Sequence, residues 1–502
     1  MINRRSVLIS SSAFALSSLF QKVSAQENGR SVRFSATTAD GRKMLRIYAE
    51  GVAAMKALGP QDPRSWAFQW HIHATPQPKA QLLDATFPGG KGAAFELAKD
   101  AWFTCQSHQG EPEDYFLPWH RLYVMHFEQI IRDLTGQGEF TLPYWDYTSA
   151  ASFAIPDEFQ SKNRNDPVWS ALFKPNRNKD GGSLRSADVN AGEPLNKHHR
   201  GARNFLVLPN LKEPSYSAFC GQLDSQLHGA VHVFTGDETN MGAVPTAAGD
   251  PVFWLHHCNI DRIWAAWNAS GGKNPTATNG KDWANTSFVF ASPQGQRVEI
   301  AIGTISDTAA LPYKYDTLPG LPPGPTLASA APQMNVLLKS VQPGAATALS
   351  SPSGPAAAIV LGATPVKTIL APTTPQNRLS QFATSIQTAG AGQFVLLLRD
   401  VQAHVNPNTA YQVFLNLPEN ATDEIQDSHY VGLLNFFGIG TQANHGTHGG
   451  GRDIEFDATD VLKRLGAVSA LQNETTVTLA PVGAPAASSM PTISGGIELV
   501  RR

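Results

Sequence analysis

Between Gly41 and about Trp267 the apolar residues recur with a helical period. Met44, Leu45, Tyr48, Val52 and Met55 fall three and four apart, so they share one face of a helix. Ala93–Phe103 and Leu122–Leu134 predict two more helices. Asp250-Pro251 opens a fourth, because proline suits the first helical turn and apolar residues then run on to Trp267. From about Asn176 to Pro214 the chain is polar and aperiodic, which predicts a long surface loop. Leu318–Pro332 (LPGLPPGPTLASAAP) is a proline-rich linker. Beyond it the period shortens. Gln393–Arg399 is a short run of Phe, Val and Leu, while Ala410–Leu417 and Thr475–Leu479 alternate, and these are strand signals set between turns. The expected layout is a mainly α domain over 26–317, a linker over 318–335 and an all-β sandwich domain over 336–502. No internal repeat is evident.

Composition adds three points. At 502 residues the chain exceeds what one core usually supports, in keeping with two domains. A formal net charge of −2 lacks the basic footprint of a nucleic-acid binder. The first 25 residues read as an export signal: the pair Arg4-Arg5, an apolar stretch from Val7 to Phe20, and the small-residue cleavage site Val23-Ser24-Ala25. That apolar run is too short to span a bilayer, and no later segment reads as transmembrane. A twin-arginine signal predicts export of a folded protein to the periplasm or beyond; the alternative is the charged start of a general secretory signal. Three cysteines, Cys105, Cys220 and Cys258, cannot build a disulfide scaffold.

The candidate chemistry lies in the histidines. Of 15, eleven fall between His71 and His257, in the helical half. His228 and His232 in LHGAVH lie four apart, so both rings reach one side of a helix. In DPVFWLHHCNIDRIW, His256 and His257 diverge by about 100° around a helix, so only one is expected to face a common site. His257, which shares a face with Asp261 and Trp264, is the expected one. Upstream, His120 in FLPWHRLYVMHFE, His108 across a loop, and His71 or His73 in WAFQWHIHATP supply a second set. His126 points to another face and is expected to be packed or exposed, and His198, His199, His404 and His429 read as ordinary surface or core residues. Two metals each held by neutral imidazoles, with no carboxylate or thiolate required, suit copper; zinc accepts the same donors.

PWHRLYVMHFE, and HGAVH followed by DPVFWLHHCNID, resemble the two copper-binding signatures of the tyrosinase, polyphenol oxidase and hemocyanin family. The likeness is strong over about residues 40 to 270. It continues more weakly through YQVFLNLPE, YVGLLNFFG and FDATDVLKRL, which look like the β-domain that follows the catalytic domain in polyphenol oxidases. The resemblance implies a four-helix bundle around a dicopper site, with His73, His108 and His120 on the first copper and His228, His232 and His257 on the second. His256 then lies beside the true ligand. It further implies O2 as co-substrate and oxidation of small phenols and catechols to o-quinones.

Other residues take their roles from the same resemblance. Gly229 follows the first ligand of the second copper, where efficient hydroxylases frequently carry Asn. Asp224 stands where many relatives have a water-orienting Glu. Val244 stands where blocked sites carry a bulky Phe, and valine leaves room for a monophenol. These signals conflict, so both monophenol hydroxylation and catechol oxidation are expected. The interval from His108 to His120 is longer than the family's usual one, and the segment GEPED absorbs the difference in a loop. Several relatives join a nearby cysteine to the histidine at the position of His108, so Cys105 is a candidate for a thioether, with a free buried thiol as the alternative. The β-domain is expected to shield the site and keep the enzyme latent. His445 and His448, in NHGTHGGG, read as incidental residues of a glycine-rich loop. Competing readings of the donor set are an o-aminophenol oxidase, a non-catalytic O2 carrier and a zinc hydrolase.

Overall fold

The structure, a computed structural model, describes residues 29–107, 114–178, 187–199, 201–277, 282–321, 349–351, 357–372, 394–439, 451–465 and 475–501. The export signal, most of the linker, His108, His445 and His448 lie outside the described residues.

The first domain is helical, as the period predicts. Its helices are α1 (Ala39–Ala57), α2 (Trp66–His73), α3 (Lys79–Thr86), α4 (Ala93–Ala101), α5 (Phe116–Thr135), α6 (Tyr216–Gln222), α7 (Gly229–Thr235), α8 (Val244–Ala247) and α9 (Val252–Ala269). Leu45, Tyr48, Val52 and Met55 bury the expected face of α1, whose first turn is capped by Thr38 accepting from the Gly41 amide. Ser65 caps α2 in the same way through the Phe68 amide. Helix α5 ends at Gly136, which takes a left-handed φ of 68°. It begins at Phe116, before the expected Leu122, so His120 sits a full turn inside it. Helix α6 passes through a π-helical turn, Leu223–His228, directly into α7. That wide turn ends on His228, the first of a candidate ligand pair, and π turns recur at functional sites. Helix α5 packs on α1 and α9, and the α6–α7 segment closes the bundle through His228 and His257.

Short strands brace the bundle that the periodicity did not mark. Strand β1 (Ser31–Arg33) pairs in parallel with β4 (Tyr313–Tyr315), and β2 (Ser287–Ala291) pairs antiparallel with β3 (Arg297–Ala301). Arg33 from β1 is fully buried. Its guanidinium lies 3.6 Å over the Tyr313 ring and reaches Glu128 at 2.9 Å and Asp261 at 3.2 Å.

The second domain is built on β-strands, as expected, with two short helices, Asp423–His429 and Thr459–Arg464, set among them. Its strands are β5 (Leu349–Ser350), β6 (Ile359–Val360), β7 (Val366–Pro372), β8 (Phe394–Gln402), β9 (Tyr411–Leu415), β10 (Tyr430–Leu434), β11 (Arg452–Asp457), β12 (Thr475–Pro481), β13 (Thr492–Ile493) and β14 (Ile497–Arg501). Among the described residues they form one continuous ten-stranded sheet, in the order β10-β9-β12-β7-β5-β14-β8-β13-β6 with β11 on β8. The paired strands are antiparallel: Leu396 faces Leu499, and Val413 faces Leu479. These residues, with Leu398, Leu415 and Val477, bury a core distinct from that of the bundle.

The domains touch along a polar seam. Arg203 pairs with Asp427 at 2.7 Å and Asp423 at 3.2 Å. Gln226 donates to the Glu455 carbonyl and Asn406 to the Gly242 carbonyl. The loop after β10 enters the open end of the bundle, and there the site lies.

Candidate metal centre

Two groups of donor side chains face each other. His228, His232, His256 and His257 bring ring nitrogens within 4.8 Å of one another, and on the opposite side the ring nitrogens of His73 and His120 and the Cys105 Sγ lie equally close. The groups meet where His120 and His257 stack, their centroids 4.2 Å apart and planes 7° from parallel. His73 approaches the same His257 ring at 6.5 Å. Thus α2 and α5 supply one side, and α7 with its π turn and α9 supply the other.

Four of the imidazoles are aimed by backbone carbonyls. The Nδ1 atoms of His73, His120, His228 and His232 lie 2.8–3.2 Å from the carbonyls of Val244, Phe116, Asp224 and Met241. A proton on Nδ1 that donates to a carbonyl leaves Nε2 as the electron-pair donor, which is how proteins fix the tautomer of a metal-binding histidine. The Asp224 carboxylate adds a second anchor on His228 Nδ1 at 3.0 Å.

Charge points the same way. Burial holds His120 down to about 3. Burial, reinforced by the other imidazoles, pushes His232, His256 and His257 well below the ordinary imidazole value. Neutral rings are what metal ligation needs. Among the described residues, His232 Nε2 and both ring nitrogens of His257 and His256 are buried without a hydrogen-bond partner. Such orphaned ring nitrogens are rare in a folded core, and a soft or borderline cation would satisfy the unprotonated nitrogen of a ring that faces it. The donor set therefore fits copper.

The expected residues assemble with two adjustments. His73, His120, His228, His232 and His257 converge as expected, and His71 does not, its ring lying edge-on to Trp102 at 4.9 Å. His126 is packed on Phe290. The first adjustment is His256. Only one of the adjacent histidines was expected to face the site, yet both rings reach it, because His256 leans on His228 (5.2 Å, 13°) and His232 (4.7 Å) from the side. The ring that also meets the opposite group, through His73 and His120, is His257. The second is Cys105. Its thiol lies 3.6 Å from His120 Nε2, and burial pushes its pKa well up; His108, the other half of the candidate thioether, lies outside the described residues.

Asp224 is buried against His228 rather than solvated on a helix face. Val244 opens α8, lines the cavity beside the site, and takes the His73 contact through its carbonyl. Gly229 faces the β-domain: a Cβ there would lie 2.5 Å from Asn435 Oδ1. A cavity of about 510 Å³ adjoins the histidines, lined among others by His73, His120, His228, Val244, Phe437 and Arg452. Phe437, Asn435 and Arg452 come from the β-domain and escaped the sequence reading. The paired Phe436-Phe437 before a glycine turn, at the end of a strand, was the available signal.

Comparison with known proteins agrees with this geometry. Residues 63–270 match the family described as the common central domain of tyrosinase, and residues 354–494 match a domain of unknown function, DUF7868. Tyrosinase HcTyr1 of Hahella sp. (strain CCB-MM4) is 35% identical over 292 residues, covering 54% of this chain and 60% of that protein. The chloroplastic polyphenol oxidase latent form of Prunus armeniaca is 24% identical over 481 residues, covering 91% of this chain and 73% of that protein. The chain thus spans about 60% of the length of the Hahella protein, and 48% of that of the Malus domestica polyphenol oxidase. The fold is that of latent apple tyrosinase, with a TM-score of 0.59 at 20% identity over 95% of this chain and 98% of that one. Latent aurone synthase, a polyphenol oxidase, superposes with a TM-score of 0.60 at 21% identity over 95% and 92%. The paired histidine groups thus lie on helices of a segment, residues 63–270, that is similar to the common central domain of tyrosinase.

Proposed function

We propose that this chain is an exported dicopper oxidase that uses O2 to turn phenols and catechols into o-quinones, and that its β-domain holds it latent. The observation that carries the reading is the pair of facing groups of buried imidazoles, four of them aimed by backbone carbonyls. His73, His108 and His120 would hold one copper, and His228, His232 and His257 the other. His256 would brace His228 and His232 from behind. Copper bound there supplies the redox couple through which electrons pass from substrate to O2.

The chain's own residues prepare that chemistry. Carbonyls of Phe116, Met241 and Val244 hold the imidazoles in one orientation, so that little reorganisation accompanies turnover. Each catechol gives up two electrons and two protons, and O2 accepts four of each to become two waters. Asp224, bound to His228, serves as an anchor of that imidazole and, lining the cavity, as a carboxylate for a phenolic proton. Gly229 contributes no side chain to orient a water, and Val244 leaves the cavity open to a monophenol. Both activities are therefore assigned, with the catechol reaction free of the deprotonation step that Gly229 does not assist.

Latency rests on Phe437, which lies over His232 and beside His228, on the face an aromatic substrate would need. The latent-form relative and the latent structural neighbours support this reading. Export rests on the Arg4-Arg5 signal; among the described residues no helix is long and apolar enough to cross a membrane.

The test is O2 uptake by the copper-loaded chain, before and after a protease cut in the segment 318–332. Uptake with catechol that rises on cutting is expected, with slower uptake on the matching monophenol. Reversible O2 binding with neither substrate consumed would replace the oxidase reading with that of a carrier.

A further inference from the structure

We propose that Gly229 and Asn435 form the seat on which the β-domain closes, and that closure requires glycine at position 229. This inference deepens the latency reading and rests on it.

The backbone does not ask for glycine at this position. Gly229 has φ −61° and ψ −38°, ordinary helical values, and a helix favours almost any other residue except proline there. What excludes a side chain is space. A Cβ at 229 would lie 2.5 Å from Asn435 Oδ1 and 3.1 Å from both Cγ and Nδ2. Asn435 is buried and pinned at both ends of its amide. Its Nδ2 donates to the Ser225 carbonyl at 2.7 Å, and its Oδ1 accepts from the Phe437 amide at 3.2 Å. Moving the amide aside breaks both bonds.

The helix is no freer to retreat. His228, just before Gly229, is tied to Asp224, and His232, a turn later, is tied to Met241. Ala230 and Val231 are buried in the bundle core. Strain from a side chain at 229 therefore falls on the β-domain side. The Asn435 amide is also what holds the Phe437 backbone, so lifting Asn435 lifts the ring off His232. One consequence concerns specificity. A residue at 229 able to orient a water for phenol deprotonation would also unseat the shield, so in this chain weak assistance to hydroxylation and tight closure come from the same absent side chain.

The experiment is a double-mutant cycle on the full chain, read by amide hydrogen exchange at Phe436, Phe437 and Gly438, with and without copper. Exchange at Leu396 and Leu499 in the β-domain core serves as the check on folding. Gly229→Ala is expected to speed exchange in the loop roughly ten-fold or more, as over-packing of a tight contact does, while the core amides stay protected. In the Asn435→Ala background, where the obstructing amide is gone, the same change is expected to add no more than about two-fold. Wild-type exchange in Gly229→Ala, or equal acceleration in both backgrounds, overturns the seat. Phe437→Ala separates this from the latency reading. If it raises catechol turnover in the full chain while Gly229→Ala leaves exchange unchanged, latency stands and the seat falls. If exchange responds to Gly229→Ala but neither Phe437→Ala nor a linker cut raises turnover, the seat stands and latency falls.

Discussion

Phe437 lies flat on His232, ring centroids 3.9 Å apart and planes 9° from parallel. The two residues belong to different domains, and the contact places an aromatic ring of the β-domain against an imidazole of the candidate copper site. A substrate ring stacking on the same face cannot coexist with it. Stacking of this kind contributes about 1 kcal/mol beyond burial, so Phe437→Ala in the full chain is expected to raise catechol turnover at least several-fold. O2 uptake on the uncut protein checks it, and unchanged turnover in a protein that a linker cut activates would assign the block to another residue.

The two sides of the site are joined by a buried charge network one residue away from His120. Arg121 reaches Asp261 at 2.5 Å, and the same carboxylate accepts from Arg33, Tyr313 and Tyr315. Asp261 lies one helical turn after His257, so the network locks α5 to α9 at the height of the ligands. Asp261→Ala takes the carboxylate from the buried Arg121 guanidinium and leaves Arg33 with Glu128 as its ion-pair partner, and is expected to destabilise the protein by about 3–5 kcal/mol, with weaker copper retention. Denaturant melting of the metal-free and copper-loaded protein checks both. A loss below about 1 kcal/mol would mean that water or a local shift compensates the two arginines.

Acid sensitivity follows from histidines outside the site. Burial holds His71, His126 and His199 down to about 4. Their folded values lie below that of the unfolded chain, near 6.5, so the unfolded state binds more protons between these values. Stability is full above pH 6.5 and falls as pH drops toward 4, by about 2 kcal/mol per histidine near pH 5. Melting of the metal-free chain from pH 8 to 5 is expected to show this decline, and replacing His126 with Gln should flatten it. A pH-independent melting temperature over that range would show that these rings are hydrated rather than buried.

The histidines of the site and those beside it should separate cleanly. His232→Ala and His257→Ala each remove an imidazole with a buried ring nitrogen that has no hydrogen-bond partner, and each is expected to lower copper to about one per chain or less. His71→Ala removes a ring packed on Trp102 and is expected to cost stability while leaving two coppers. Metal analysis of the purified variants distinguishes them. Full copper content in His257→Ala would move the bridging position to His256.

Much of this was legible in the sequence, for definable reasons. A four-residue spacing on a helix fixes the relation of His228 to His232, and the apolar faces of α1 and α9 follow from period alone. The approach of His256 was not legible, because a rotation of about 100° per residue says where a Cβ points but not how far an imidazole swings back. The aiming of the rings by the carbonyls of Phe116, Met241 and Val244 was hidden because backbone groups carry no sequence signature. The contacts of Phe437 with His232 and of Asn435 with Gly229 span some two hundred residues of chain, and only the docking of one folded domain on another creates them.

The most direct test of the central claim is a copper titration of the metal-free full chain, read by metal content per chain after removal of loosely bound ions. Two coppers per chain, with both lost together from a chain lacking His120 and His257, is the expected result. A single bound metal, or two that survive the loss of those facing rings, would contradict a paired copper site at this place.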